Sequence, residues 1–118
     1  AIRSATAQGG KNAHYLLVHV VETAGAMWYG SQIADHESDE DTNALNNYVL
    51  QLREQGYDVE MKIGFGNPKR IIPEIVTRFD ADLLVMGAHR HPTLKDLFLG
   101  TTISGVRHLV TIPVLIVR

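Results

Sequence analysis

The residues of this chain best suited to chemistry lie between Leu83 and Thr102. Leu83-Leu84-Val85-Met86 is a short apolar run. Gly87-Ala88-His89-Arg90 follows it, and Gly100-Thr101-Thr102 comes after a polar stretch. Such an apolar run reads as a strand buried on both faces. Gly87 lets the backbone turn sharply, and lets a ligand approach with no Cβ in the way. Read as a helix start, Gly100, Thr101 and Thr102 turn N–H groups and two hydroxyls toward an anion, which is how a phosphate is seated.

Other polar groups point to less chemistry. His89 and His91 flank Arg90, His108 follows on the next helix, and His36 lies in the acidic run His36-Glu37-Ser38-Asp39-Glu40-Asp41. Manganese and zinc use such ligands, but an arginine between two histidines repels a cation. These histidines read as solvated loop residues, and the acidic run as a solvated helix start. A hydrolase using His89 or His91 as base would need a positioned nucleophile and an orienting group. No such set with recognisable spacing is present, so the chain reads as non-enzymatic. Lys95, Asp96 and Arg107 read as surface charges, and His19 as a half-buried strand histidine.

Bulk properties narrow the function classes. A chain of 118 residues with 45% hydrophobic content supports one domain. The net charge of −2 gives no basic field for nucleic acid. Absence of cysteine excludes a disulfide scaffold, thiolate catalysis and a cysteine zinc site. No apolar run approaches the roughly 20 residues that span a bilayer.

The elements that position these residues follow from periodicity. Ala1 to Gly10 reads as the last turns of a helix, with Ala1, Ile2 and Ala5 toward a core and Gly9-Gly10 as the stop. Its abrupt start reads as a domain that is incomplete at its N-terminus. His14 to Val21 is near-continuously apolar, as an interior strand is. Glu22 to Glu40 reads as the least regular part, and Met27-Trp28-Tyr29 within it as folding back on the core, with a lid or partner patch as the alternative. Asp41 to Gln55 carries Leu45, Tyr48, Val49 and Leu52 on one helical face, closed by Gly56. Tyr57 to Ile63 alternates like a half-exposed edge strand. Asn67 caps a helix with Pro68 at its first position. Pro73 implies a kink, or a separate first turn with the main helix starting near Ile72. A helix from Thr101 to about Val110 buries Ile103, Val106 and Val110, and Val114 to Val117 is the last strand. Strands alternating with helices give a doubly wound parallel α/β sheet. Its ligands sit beyond the carboxyl ends of the strands.

Over nearly its whole length the chain resembles the universal stress protein family. Nucleotide-binding members carry G-x2-G-x9-G-[ST] at this place. Gly87 and Gly100-Thr101 match its first and last parts, and Arg90 replaces the middle glycine. The likeness extends to His19-Val20, Gly66-Asn67-Pro68, Met86-Gly87-Ala88-His89, Leu94-Lys95-Asp96-Leu97 and Ile112-Pro113-Val114-Leu115-Ile116-Val117. It implies a Rossmann-like fold of strand order 3-2-1-4-5, whose central first strand ends in an adenine-binding Asp; that strand is missing from residues 1 to 118.

For a nucleotide, the resemblance implies ATP, held with Mg or Mn, with Val20 near adenine. Met86, Gly87 and His89 would lie near ribose and phosphate, and Gly100, Thr101 and Thr102 on the phosphates. Arg90 either blocks the phosphate or pairs with it. The implied role is regulatory and stress-related, in a cytoplasmic homodimer joined through Val114, Leu115, Ile116 and Val117. Slow ATP hydrolysis is the enzymatic alternative, and a nucleotide-independent interaction domain the functional one. Gly9-Gly10-Lys11-Asn12-Ala13, Val21-Glu22-Thr23-Ala24-Gly25-Ala26 and the Gly100-Thr101-Thr102 region also resemble universal-stress domains fused behind Nramp-type manganese/iron transporters. That likeness implies a domain tethered at the cytoplasmic face of the inner membrane.

Overall fold

The computed structural model describes residues 1–22, 31–87 and 95–117, of which 31–41 and 95–101 are described as backbone only. The readings of Met27-Trp28-Tyr29, His89, Arg90 and His91 lie outside the described residues, as do the side chains of His36, Lys95 and Asp96. The chain forms two compact units, residues 9–71 and residues 1–8 with 72–118.

In the first of these, the 3-10 turn Gly10–Asn12 leads into strand β1, His14–Val21, and helix α2, Ser31–Glu54, leads into β2, Asp58–Phe65. β1 and β2 pair in parallel from His14↔Asp58 to Val21↔Phe65. Val59, Val49 and Leu52 form the core, at 2%, 4% and 8% exposure. The alternation expected of β2 holds: Asp58, Glu60 and Lys62 are exposed, while Met61 and Ile63 are half-buried. α2 starts ten residues before the expected Asp41 and so takes in residues 31 to 40 of the stretch expected to be irregular, because residues 31 to 41 contain neither Gly nor Pro and nothing stops the helix. Tyr48, expected on the buried stripe, is instead 50% exposed, since Leu45, Val49 and Leu52 fill that face. The helix ends as expected at Gly56. Gly56 N–H donates to the Arg53 carbonyl and Tyr57 N–H to the Leu52 carbonyl, with Gly56 left-handed at φ 94°.

The other unit holds α1, Ile2–Gly9 up to residue 8, most of α3, Pro68–Phe79, and β3, Leu84–Gly87. α4, Lys95–Leu109, and β4, Val114–Val117, complete it. β3 and β4 pair in parallel from Leu84↔Val114 to Gly87↔Val117. Val76, Ile103 and Val106 form this core. α1 buries no residue: Ala1 is exposed, and Ile2 and Ala5 are half-buried. α3 runs unbroken through Pro73, so no separate first turn forms. Its start is as expected, with Lys69 N–H donating to Asn67 Oδ1 at 3.1 Å. Its end is a Schellman turn: Asp80 N–H donates to the Thr77 carbonyl and Ala81 N–H to the Val76 carbonyl. Asp80 takes the left-handed position at φ 56°, where glycine is usual.

The ladders among the described residues therefore pair β2 with β1 and β3 with β4. These are the neighbours at the two ends of the order 3-2-1-4-5. β1, expected as an interior strand, has one described strand neighbour and no buried residue.

Candidate functional site

The carboxyl ends of β1 and β3 carry the candidate residues, each in its own unit. In a parallel ladder, alternate residues turn both backbone polar groups to the same neighbour. Gly66 N–H donates to the Val21 carbonyl at 2.9 Å, so the odd-numbered residues of β1 face β2. The N–H and C=O of Val20 consequently point to the opposite edge. Leu84 N–H donates to the Pro113 carbonyl at 3.1 Å, so Leu84 and Met86 face β4 and the backbone of Gly87 points away from it. Val20 and Gly87 thus share a feature that composition and spacing could not show: neither spends its backbone polar groups on the ladder beside it.

Gly87 differs from expectation in one respect. Among the described glycines, positive φ occurs at Gly10, Gly56 and Gly66, so Gly87 is not a left-handed turn but an ordinary strand residue. What it contributes is space. Among the described residues, a Cβ built there meets nothing nearer than the Ala1 methyl at 4.0 Å. Met86 is half-buried beside it.

Gly100-Thr101-Thr102 is corrected as a helix start. α4 begins at Lys95, which places these three residues in its second turn. A helical N–H there donates to the carbonyl four residues earlier, so it is no longer an orphan facing an anion. The cause is the stretch Lys95-Asp96-Leu97-Phe98-Leu99, which contains no breaker, and a lone interior glycine costs only about 1 kcal/mol. Ile103 and Val106 are buried as expected, Val110 is half-buried and Leu109 is 62% exposed.

A polar cluster that the sequence reading missed lies at the amino ends of β1 and β2. His14 Nδ1 is 2.8 Å from Asp58 Oδ2, and His14 Nε2 is 3.4 Å from Glu60 Oε2. Only the strand register brings these residues together. The two ring nitrogens meet different carboxylates, so the cluster is a surface latch. Among the described residues, no group of three or more His, Asp or Glu is placed to hold a metal ion. His108 is exposed on α4 and His19 is half-buried in β1. The Tyr15 hydroxyl has a displaced titration. Burial, and secondarily the neighbouring Tyr57, pushes it above its ordinary value.

Parallel strands that alternate with helices along the chain define a doubly wound α/β protein. The universal stress protein family model matches residues 1–118, and the chain belongs to that family. It is 34% identical to universal stress protein Sll1388 of Synechocystis sp. over 96 residues, 79% of this chain and 62% of that protein. It is 27% identical to universal stress protein G of Salmonella typhimurium, over 100% of this chain and 87% of that one. The chain spans 62% and 56% of two relatives, Sll1388 and MJ0577 of Methanocaldococcus jannaschii. Among solved structures, universal stress protein UspA from Lactobacillus plantarum superposes with a TM-score of 0.82 at 20% identity, covering 99% of this chain and 86% of that one. A universal stress protein in complex with cAMP superposes with a TM-score of 0.57 at 23% identity, covering 98% and 82%. Both likenesses establish the Rossmann-like fold. Among the described residues, no helix is long and apolar enough to cross a membrane.

Proposed function

We propose that this is a regulatory, stress-response domain that binds an adenine nucleotide and pairs with a second copy through β4. The observation that carries the reading is Gly87. It lies at the carboxyl end of a parallel strand, its backbone turned from the ladder, and among the described residues nothing stands nearer than 4.0 Å to where its Cβ would be. The adenine would be met at Val20, the ribose and phosphates at Met86, Gly87, His89, Gly100, Thr101 and Thr102, and Arg90 would pair with a phosphate. Mg or Mn would screen the phosphate charge. A relative's structure in complex with cAMP supports a nucleotide as the ligand class. Slow hydrolysis of that ATP would be secondary to binding. The cytoplasmic location and the attachment to a metal-ion transporter rest on the sequence likeness, and co-purification of the two from membranes tests the attachment.

A second reading is favoured by α4. Its helix includes Gly100, Thr101 and Thr102, which withdraws their N–H groups from an anion, and Arg90 stands where the family motif has glycine. On this reading the domain works through protein contacts without nucleotide. Isothermal titration of ATP with Mg²⁺ or Mn²⁺ separates the two. Binding by the native chain, lost in Gly100→Val, is expected if the nucleotide reading holds. Binding that appears only in Arg90→Gly means that the arginine closes the site.

A further inference from the structure

Helix α2 turns an uncharged face to solvent. From Thr42 to Leu52 it carries no charge, although 20% of the chain is charged and the solvent face of a helix is where charges ordinarily collect. Leu45, Val49 and Leu52 pack inward, and what remains outside is amides with Ala44, Tyr48 and Leu50. Asn43, Asn47, Leu50 and Gln51 follow i, i+4, i+7 and i+8, so they form one outward stripe. Leu50 is 57% exposed within that stripe, and Tyr48 is 50% exposed beside it. Depletion of charge around a tyrosine is the composition of a contact surface. Charges bound the stretch on both sides, at Asp41 and at Arg53-Glu54.

About Asn47 the stretch is complementary to its own reverse. The residues equally far before and after Asn47 are Asn46 and Tyr48, Ala44 and Leu50, Asn43 and Gln51. Two copies of α2 crossing antiparallel on a two-fold axis at Asn47 would bring these pairs together. An amide meets a phenol, a large side chain settles on a small one, and an amide meets an amide. Asn47 meets itself. An amide is both donor and acceptor, so it pairs with its own copy, whereas a charged residue on the axis would repel its own.

We propose that α2 is a self-association surface through which two copies of the chain cross antiparallel at Asn47. The occupant is a second copy because the face has no charge with which to select a charged partner and is matched to itself. The surface lies wholly within residues 9–71 and needs neither β4 nor a nucleotide. Only about two and a half turns take part. A contact of that size, below roughly 1,200 Å², is transient and adds to the mass only in concentrated protein.

The chain contains no cysteine, so a single introduced thiol has only its own copy to meet. In Asn47→Cys the two thiols lie together on the axis, within disulfide reach. In Asn43→Cys they stand about 12 Å apart along the helix, beyond it. Both sites are exposed, so random collision would link them alike. Mild oxidation of concentrated protein is expected to link Asn47→Cys chains roughly tenfold faster than Asn43→Cys chains. Sedimentation gives a second reading. The mass of the native protein doubles on concentration, and Asn47→Asp, which sets two carboxylates on the axis, removes that doubling while thermal melts verify its fold. If Asn47→Asp does not fold, the linking rates decide. Equal linking rates overturn the proposal, as does a doubling that native protein lacks or that folded Asn47→Asp retains.

Discussion

Tyr15 ties the start of β1 to the turn before it. Its hydroxyl donates to the Gly10 carbonyl. Its ring meets Tyr57 edge to face, with centroids 5.9 Å apart, and the Lys11 ammonium lies 5.9 Å from the centre of the Tyr57 ring. Gly9 fits beneath because it has no side chain; a Cβ there would stand 2.5 Å from the Tyr15 hydroxyl. Removing that hydroxyl in Tyr15→Phe is expected to cost about 0.5–1.5 kcal/mol at neutral pH, read from urea unfolding. The pH dependence has a defined sign. The folded state holds the Tyr15 proton more tightly than the ordinary 10.0, so its contribution is fully present below that pH. As pH rises through the folded value, the unfolded chain ionises first and stability is lost. Native protein should therefore lose stability more steeply than Tyr15→Phe above about pH 10; parallel curves would mean that the hydroxyl titrates alike in both states. None of this was legible in the sequence, since Gly9-Gly10 reads simply as a helix stop.

Among the elements, those fixed by continuous local patterning were legible and those fixed by competition were not. β1 and β4 occur at the expected residues, since apolar β-branched runs bounded by polar turns leave little choice. The cap of α3 was legible for the same reason, because Asn67-Pro68 satisfies the first N–H groups locally. The starts of α2 and α4 were not, because in each case a stretch without breakers joins the helix that follows. α4 matters most for function. With its first turn at Lys95, the amides of Leu99 to Thr102 are inside the helix. Hydrogen exchange of the free protein is expected to show these amides protected like those near Val106. In the same way, Gly100→Ala should stabilise by about 0.5–1 kcal/mol, the usual gain for Gly→Ala inside a helix. Fast exchange at residues 99 to 102 would instead return their N–H groups to the phosphate seat.

At the scale of the whole molecule, two paired strands alone are marginal, and their unpaired edges invite other strands. The two outer edges are treated differently. The outer edge of β2 is guarded. Arg53 Nε donates to the Val59 carbonyl at 3.0 Å, and that carbonyl belongs to the side turned away from β1. Asp58, Glu60 and Lys62 add charges along the same strand. Among the described residues β4 has neither device: Val114 to Val117 is wholly apolar and Ile116 is 38% exposed. Because Leu84 N–H donates to the Pro113 carbonyl, Leu115 and Val117 face β3, while Val114 and Ile116 turn their N–H and C=O outward. A two-fold partner would meet those groups with the same groups of its own strand. Ile116→Pro deletes an outward donor without touching the β3–β4 ladder, and Ile116→Lys sets like charges across the axis. If β4 joins two copies, sedimentation equilibrium gives the mass of two chains for the native protein and of one chain for either variant. The β2 edge variant Lys62→Thr should leave the mass unchanged. A native protein that sediments as one chain, or variants that still sediment as two, would move the contact away from β4.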